Sequence, residues 1–304
     1  MDVLINILEQ GLLFSLVAIA VYITYKILDF PDMSVDGTFP MGAAISATLI
    51  VHGVNPWSSI VAAAIGGAIA GAITGILHVK FKIDNLMAGI LVMIGLYSIN
   101  LRIMGKANVP LLNVKHLFNS GISKMVIIIA TLVIVKILLD LYMKTKSGFL
   151  LRAVGDNEQV VSSIGVNKDL VKVLGLVISN ALAAIAGALT AQYQGFSDVG
   201  MGTGTVVMGL AAVIIGSSLF ERVSFIKATT LSILGAIIYK GAIALVLKYG
   251  SIIGLTPNDL KLMTAVIVVV ALCSNNGIFK FKKKKIVEGG VLEDAKSKTT
   301  IQSI

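Results

Sequence analysis

Apolar residues run along this chain in stretches of about twenty, separated by short polar segments. Stretches long enough to cross a lipid bilayer as helices occur at about 4–28, 57–78, 86–104, 122–143, 171–192, 225–247 and 262–279. Two more, about 38–51 and 205–220, are shorter and entered from glycine-rich sequence, which reads as short or broken spans. The pattern predicts an all-α, polytopic transmembrane helical bundle of about eight or nine spans over residues 1–279. A tail over 280–304 opens with Lys280, Lys282, Lys283, Lys284 and Lys285 and then turns polar. It holds too little apolar surface to fold alone and is expected to be disordered. The first span has no basic leader or small-residue cleavage site and is read as retained.

Composition sharpens this. Only 13% of residues are charged and 56% are hydrophobic, against roughly a quarter charged in soluble domains. The net charge of +9 forms no stripe with interleaved aromatics, which argues against a nucleic-acid surface. With the tail taken as cytoplasmic and nine spans counted back, 17 of the 25 Lys and Arg residues fall on the inner side, Lys26, Lys144, Lys168, Lys172 and Arg222 among them. That bias predicts an external N-terminus and a cytoplasmic C-terminus. Cys273 is the single cysteine and cannot form an internal disulfide.

The two short segments begin alike. Gly37-Thr38-x-x-Met41-Gly42 matches Gly204-Thr205-x-x-Met208-Gly209, and in a nine-span topology they cross in opposite directions, as elements of a possible inverted repeat would. Such repeats place a substrate path at interrupted helices. Ser34, Asp36, Gly37, Thr38, Gly204 and Thr205 are therefore path candidates, with Ser179 and Asn180 on the span at 171–192. Two readings stand for the last pair, path lining or hydrogen bonding between helices, and the same holds for Gln192 and Gln194. Asp29, Asp32 and Asp36 read as caps of the next helix, or as a site for a cation or amine. A helix N-terminus at this depth is also suited to an anionic carboxylate. Lys136 and Asp140, four residues apart, are expected to pair. Gly67 and Gly71 have the small-xxx-small spacing of close helix packing.

The long inner loop, about 144–170, carries a second kind of signal. Asp156 or Asn157 is placed to cap a short helix that Gly165 closes, and Val160, Val161 and Ile164 give it an apolar face suited to a groove in a cytosolic partner. His52, His78 and His116 lie near span ends without metal-ligand spacing, so no metal site is expected. Gly200-Met-Gly202-Thr-Gly204 lacks the Gly-Lys-Ser/Thr of a phosphate loop.

Gly148, Arg152, Ala153, Gly155, Asn157 and Gly165 form the pattern G-x3-R-A-x-G-x-N-x7-G, which resembles the coupling segment of ABC permeases that import branched-chain amino acids and simple sugars. Asp32-Met-Ser34-Val35-Asp36-Gly37-Thr38 is similar to an early motif of the same family. Together with Tyr97-Ser98-Ile99-Asn100-Leu101-Arg102-Ile103-Met104-Gly105 it resembles a branch paired with tryptophan- or tyrosine-type solute receptors. The resemblance covers roughly residues 10–275. It implies a bacterial plasma-membrane permease dimer, an external solute-binding protein and two cytosolic ATPases that use ATP and Mg. It implies no catalytic residue and no cofactor on this chain. Contact with the ATPase then falls to Arg152, Gly155, Asp156, Asn157, Val160, Val161, Ile164 and Gly165. The alternative is an ion-coupled secondary transporter, which needs ionisable residues inside its spans.

Overall fold

The computed structural model describes residues 2–112, 114–119, 121–220, 227–250 and 259–275. The lysine-rich tail and the loop holding Arg222 lie outside them. Among the described residues, six helices are long and apolar enough to cross a membrane, joined by two shorter apolar ones. In chain order the elements are α1 (Asp2–Val21), running on as a π-helical turn Tyr22–Ile27, then α2 (Val35–Val51), α3 (Pro56–Val79) and α4 (Asn85–Met104). After the strand β1 (Asn108–Pro110) come α5 (Lys124–Tyr142), α6 (Lys146–Asp156), α7 (Glu158–Ser163) and α8 (Lys168–Gln194). The strand β2 (Phe196–Asp198) precedes α9 (Thr205–Phe220), α10 (Ala228–Gly250) and α11 (Leu260–Asn275). The fold is the all-α polytopic bundle that the apolar pattern predicts.

Ends of the helices follow local chemistry. Asn55 accepts from Trp57 N at 2.9 Å with Pro56 in the first turn of α3, Asp84 accepts from Leu86 N at 3.0 Å for α4, and Asn167 accepts from Asp169 N at 3.0 Å for α8. Gly195, at φ +79, closes α8. At that end β1 and β2 pair antiparallel, with Val109 opposite Ser197, and Ala44, Ala47 and Ile50 of α2 pack beneath them with Met104 and Val109.

α8 is the axis of the bundle, and small residues let its neighbours approach closely. A β-carbon on Gly67 or Gly71 of α3 would overlap the Asn180 or Leu176 carbonyl, and one on Gly42 of α2 would overlap Ala184. Lipid offers no hydrophobic drive between helices, so close van der Waals contact across such residues holds them together. The outward faces are apolar instead of polar: Val61, Ile65, Ile69 and Ile73 form an exposed stripe along α3.

The short helices α2 and α9 are continuous where the sequence left breaks open. Pro40 sits inside α2 and, having no N–H, leaves the Asp36 carbonyl without its helical donor. Gly202 packs directly against that carbonyl, where a side chain would not fit.

Candidate substrate path and coupling surface

Asn180, in the middle of α8, is the hub of a buried polar knot. Its Nδ2 donates to Asp32 Oδ2 at 2.8 Å, while its Oδ1 accepts from Ser34 Oγ at 3.1 Å and Thr38 Oγ1 at 2.7 Å. Asp32 Oδ1 also accepts from Ser34 N at 2.8 Å, turning the chain into α2. All four residues are buried. Ser179 is buried beside them and donates to the Ala20 carbonyl at 2.9 Å. Of the sequence candidates, Ser34, Thr38, Ser179 and Asn180 therefore bind helix to helix in this conformation. Gln192 behaves likewise, donating to Ser46 Oγ at 3.0 Å and accepting from Leu117 N at 3.1 Å.

Asp36 does something the sequence did not foretell. Its carboxyl accepts from Gly204 N at 2.8 Å and Val206 N at 2.7 Å. It thus caps a helix 168 residues away, taking up N–H groups that α9 cannot satisfy internally. Gly204 makes this possible with φ +81 just before the helix. The two segments that look alike in sequence meet at their N-terminal ends, across one carboxyl group. Thr205, at the start of α9, is 1% exposed.

Beside this seam opens a cavity of about 450 Å³, lined by Asp36, Gly37 and Pro40 from α2, Tyr97, Ser98 and Asn100 from α4, and Gly200 and Thr203 before α9. Asn100 Nδ2 donates to the Gly37 carbonyl at 3.1 Å, whereas its buried Oδ1 has no partner. Met33, Met93 and Ile94 supply apolar wall. Apolar surface with a few convergent polar groups is the composition of a small-molecule site. Of the path candidates, Asp36 and Gly37 line it. Tyr97 and Asn100, which the sequence offers only as part of a recurrent segment, belong to it too.

The loop over about 144–170 forms two helices where the sequence predicts one. Thr145 caps α6, accepting from Gly148 N at 3.2 Å, and Arg152 and Gly155 lie within that helix. Gly155 packs against the Ile27 carbonyl at the end of the π-helical turn. Asn157 then caps α7 through Gln159 N at 2.9 Å, directly after Asp156, and Gly165 at φ +77 follows the helix. The apolar face needs correction. Val161 is 0% exposed and packs into the core, so it is unavailable to a partner, while Val160 and Ile164 are 53% and 61% exposed. A one-turn helix must hold itself to the body, and Val161 does so. Phe149 of α6, 69% exposed, joins the outward surface. Glu158 pairs with Lys168 at 2.9 Å and with Lys172. The Lys172 hydrogen bond, joined by that from Lys168 and opposed by desolvation, holds its carboxyl below the usual range. This clamp of α7 onto α8 is complete above the ordinary glutamate pKa and is lost as pH falls through the depressed one.

Lys136 and Asp140 pair at 2.9 Å as expected, and Asp140 also takes Lys227 at 2.9 Å and Thr229 at 3.0 Å, tying α5 to the start of α10. Among the described residues no group of three or more His, Cys, Asp or Glu side chains is placed to hold a metal. Lys240, at the middle of α10, is the residue that sequence reasoning passed over. A lone ammonium at the centre of an apolar span was the available signal.

The polytopic bundle, the seam between the starts of α2 and α9 and the paired helices α6 and α7 agree with a membrane permease of the ABC importer class. The chain belongs to the family described as branched-chain amino acid transport system / permease component, whose model matches residues 3–273. The tyrosine transport system permease protein of Clostridioides difficile is 50% identical over 283 residues, covering 93% of this chain and 95% of that one. The ribose import permease protein of Escherichia coli K12 is 25% identical over 225 residues, 71% of this chain and 69% of the other. PsaBC from Streptococcus pneumoniae, solved in complex with Fab, has the same fold at a TM-score of 0.53 and 13% identity, over 90% of this chain and 91% of that one. Family membership decides against the ion-coupled secondary transporter, and an ATPase and a solute-binding protein are its general partners.

Proposed function

We propose that this chain forms the path of an importer for an amino acid, of the aromatic kind that the Clostridioides difficile relative's name specifies. It works as a pair of copies with two cytosolic ATPases, which use ATP and Mg, and an external receptor. The chain itself holds no cofactor and performs no catalysis. It lies in a bacterial plasma membrane with its N-terminus outside and its C-terminus cytoplasmic, in keeping with the lysine bias of the loops. The observation that carries this reading is the 450 Å³ cavity in which Asp36-Gly37 of one motif meets Tyr97, Ser98 and Asn100 of the other. An aromatic amino acid has an apolar body for Met33, Met93 and Tyr97, and polar groups for Ser98 and the unpaired Asn100 Oδ1.

Cysteine access tests the path. In a Cys273→Ala background, Ser98→Cys and Thr203→Cys should react with a charged thiol reagent from the water side, and receptor-bound substrate should slow the reaction. Thr38→Cys, in the buried knot around Asn180, should stay protected. Protection of Ser98→Cys and Thr203→Cys throughout the transport cycle would mean that this cavity faces lipid.

Coupling is tested at Val160 and Ile164. Changing both to Asp should remove most ATPase co-purification and receptor-stimulated ATP hydrolysis, at least tenfold, while the permease stays folded, because a carboxyl pressed into an apolar groove is strongly disfavoured. Val161→Asp alone should instead prevent folding, since that side chain is buried in the permease itself. Wild-type coupling in the double variant would move the docking surface elsewhere.

A further inference from the structure

A second, smaller cavity of about 130 Å³ lies on the other side of the Asp36 seam, among α1, α2, α8, α9 and α10. Phe39 and Thr205 face it, as Pro40 and Thr203 face the larger cavity. Lys240 projects into this smaller space, where Gln10, Thr190 and Tyr193 also converge. Its ammonium lies 4.9 Å from the centre of the Phe14 ring. No carboxylate pairs with it among the described residues. Glu9, on the same side of the bundle, is buried and engaged by the Tyr193 hydroxyl at 2.8 Å. A cation held in the middle of a span by one aromatic face is costly, and residues of this kind mark ligand or ion pathways.

We propose that this cavity is a carboxylate subsite, in which Lys240 takes the carboxylate of the transported solute after the seam between Asp36 and α9 opens. The proposal rests on the importer reading. Charge fits, because Lys240 has no carboxylate partner among the described residues and the nearby Glu9 is engaged by the Tyr193 hydroxyl. Size fits as well: the cavity takes the carboxylate end of an amino acid, and the larger cavity across the seam takes the side chain. Passage from one to the other breaks the hydrogen bonds from Gly204 and Val206 to Asp36, so that the helix cap doubles as a gate.

Purified permease with its ATPase, in lipid nanodiscs, provides the test. Sodium acetate and L-tyrosine should raise the unfolding midpoint of the wild type and of Lys240→Arg. Tyramine, which lacks the carboxylate, and sodium chloride at equal ionic strength should not. Neither acetate nor tyrosine should shift Lys240→Met. An equal shift from chloride or tyramine, or a shift retained in Lys240→Met, overturns the subsite. In liposomes Lys240→Met should lower receptor-driven uptake at least tenfold with ATP hydrolysis retained, and unchanged uptake also overturns it. If the wild-type complex imports no amino acid at all, the importer reading fails, and the acetate shift still decides whether Lys240 binds carboxylates.

Discussion

Asn180→Leu should lower the thermal midpoint of the detergent-solubilised permease by roughly 5 °C, corresponding to about 3 kcal/mol for a chain of this size. The replacement fills a similar volume but removes the donor to Asp32 and the acceptor for Ser34 and Thr38 in one step. Hydrogen bonds between membrane helices average only about 0.6 kcal/mol each, because the separated helices also find partners. Three of them do not account for the whole effect. The remainder comes from Asp32, whose carboxyl stays buried after losing the Asn180 amide and is left to Ser34 alone. Asp32→Ala combined with Asn180→Leu should therefore cost less than the two single changes added together. Strict additivity would show that Asn180 acts by packing alone and that the knot carries no energy as a unit.

Gly187→Val should have the larger effect still, with little or no monodisperse protein recovered. A β-carbon at this position of α8 would overlap the Phe39 carbonyl of α2, so backbone meets backbone and no side chain can rotate aside. Overpacking in a core typically costs about 1–3 kcal/mol when neighbours can adjust. Here the adjustment is a separation of α2 from α8, which would also pull Ser34 and Thr38 away from Asn180 and lift Asp36 from the start of α9. Gly95→Ala on α4 is the control, since nothing lies within 4 Å of its added methyl. Its yield and midpoint should match the wild type in size-exclusion profile and thermal scan. A well-folded Gly187→Val would mean that the α2–α8 contact is looser than the close approach described.

Much of this molecule was legible in the chain. Span positions followed from runs of apolar residues, because a bilayer demands helices near twenty residues long and a hydrocarbon core forbids polar interruptions. A cap at Asp156 or Asn157 and closure at Gly165 followed from local backbone chemistry that needs no partner beyond a few residues, and the structure gives the cap to Asn157. The family pattern from Gly148 to Gly165 pointed to the same class as the fold. What periodicity could not tell was the facing of α7: Val160, Val161 and Ile164 are equally apolar, and only the packing of α7 against the body shows that Val161 turns inward.

Tertiary structure alone decided the partners of polar residues in the spans. Ser34, Thr38, Ser179 and Asn180 are the residue types that line paths, and also those that tie helices together. Sequence carries no distance between residues 146 apart, so it could not place Ser34 against Asn180. Asp36 shows the same limit: a carboxyl in the first turn of α2 was expected to cap its own helix, and the folded chain brings it to the N–H groups of α9. Lys240 was visible as a charge in an apolar run, but its cavity exists only where α1, α2, α8, α9 and α10 meet. Local hydrogen bonding and bilayer thickness act through neighbours along the chain and are written in it, whereas a site made from five helices depends on contacts that only packing creates.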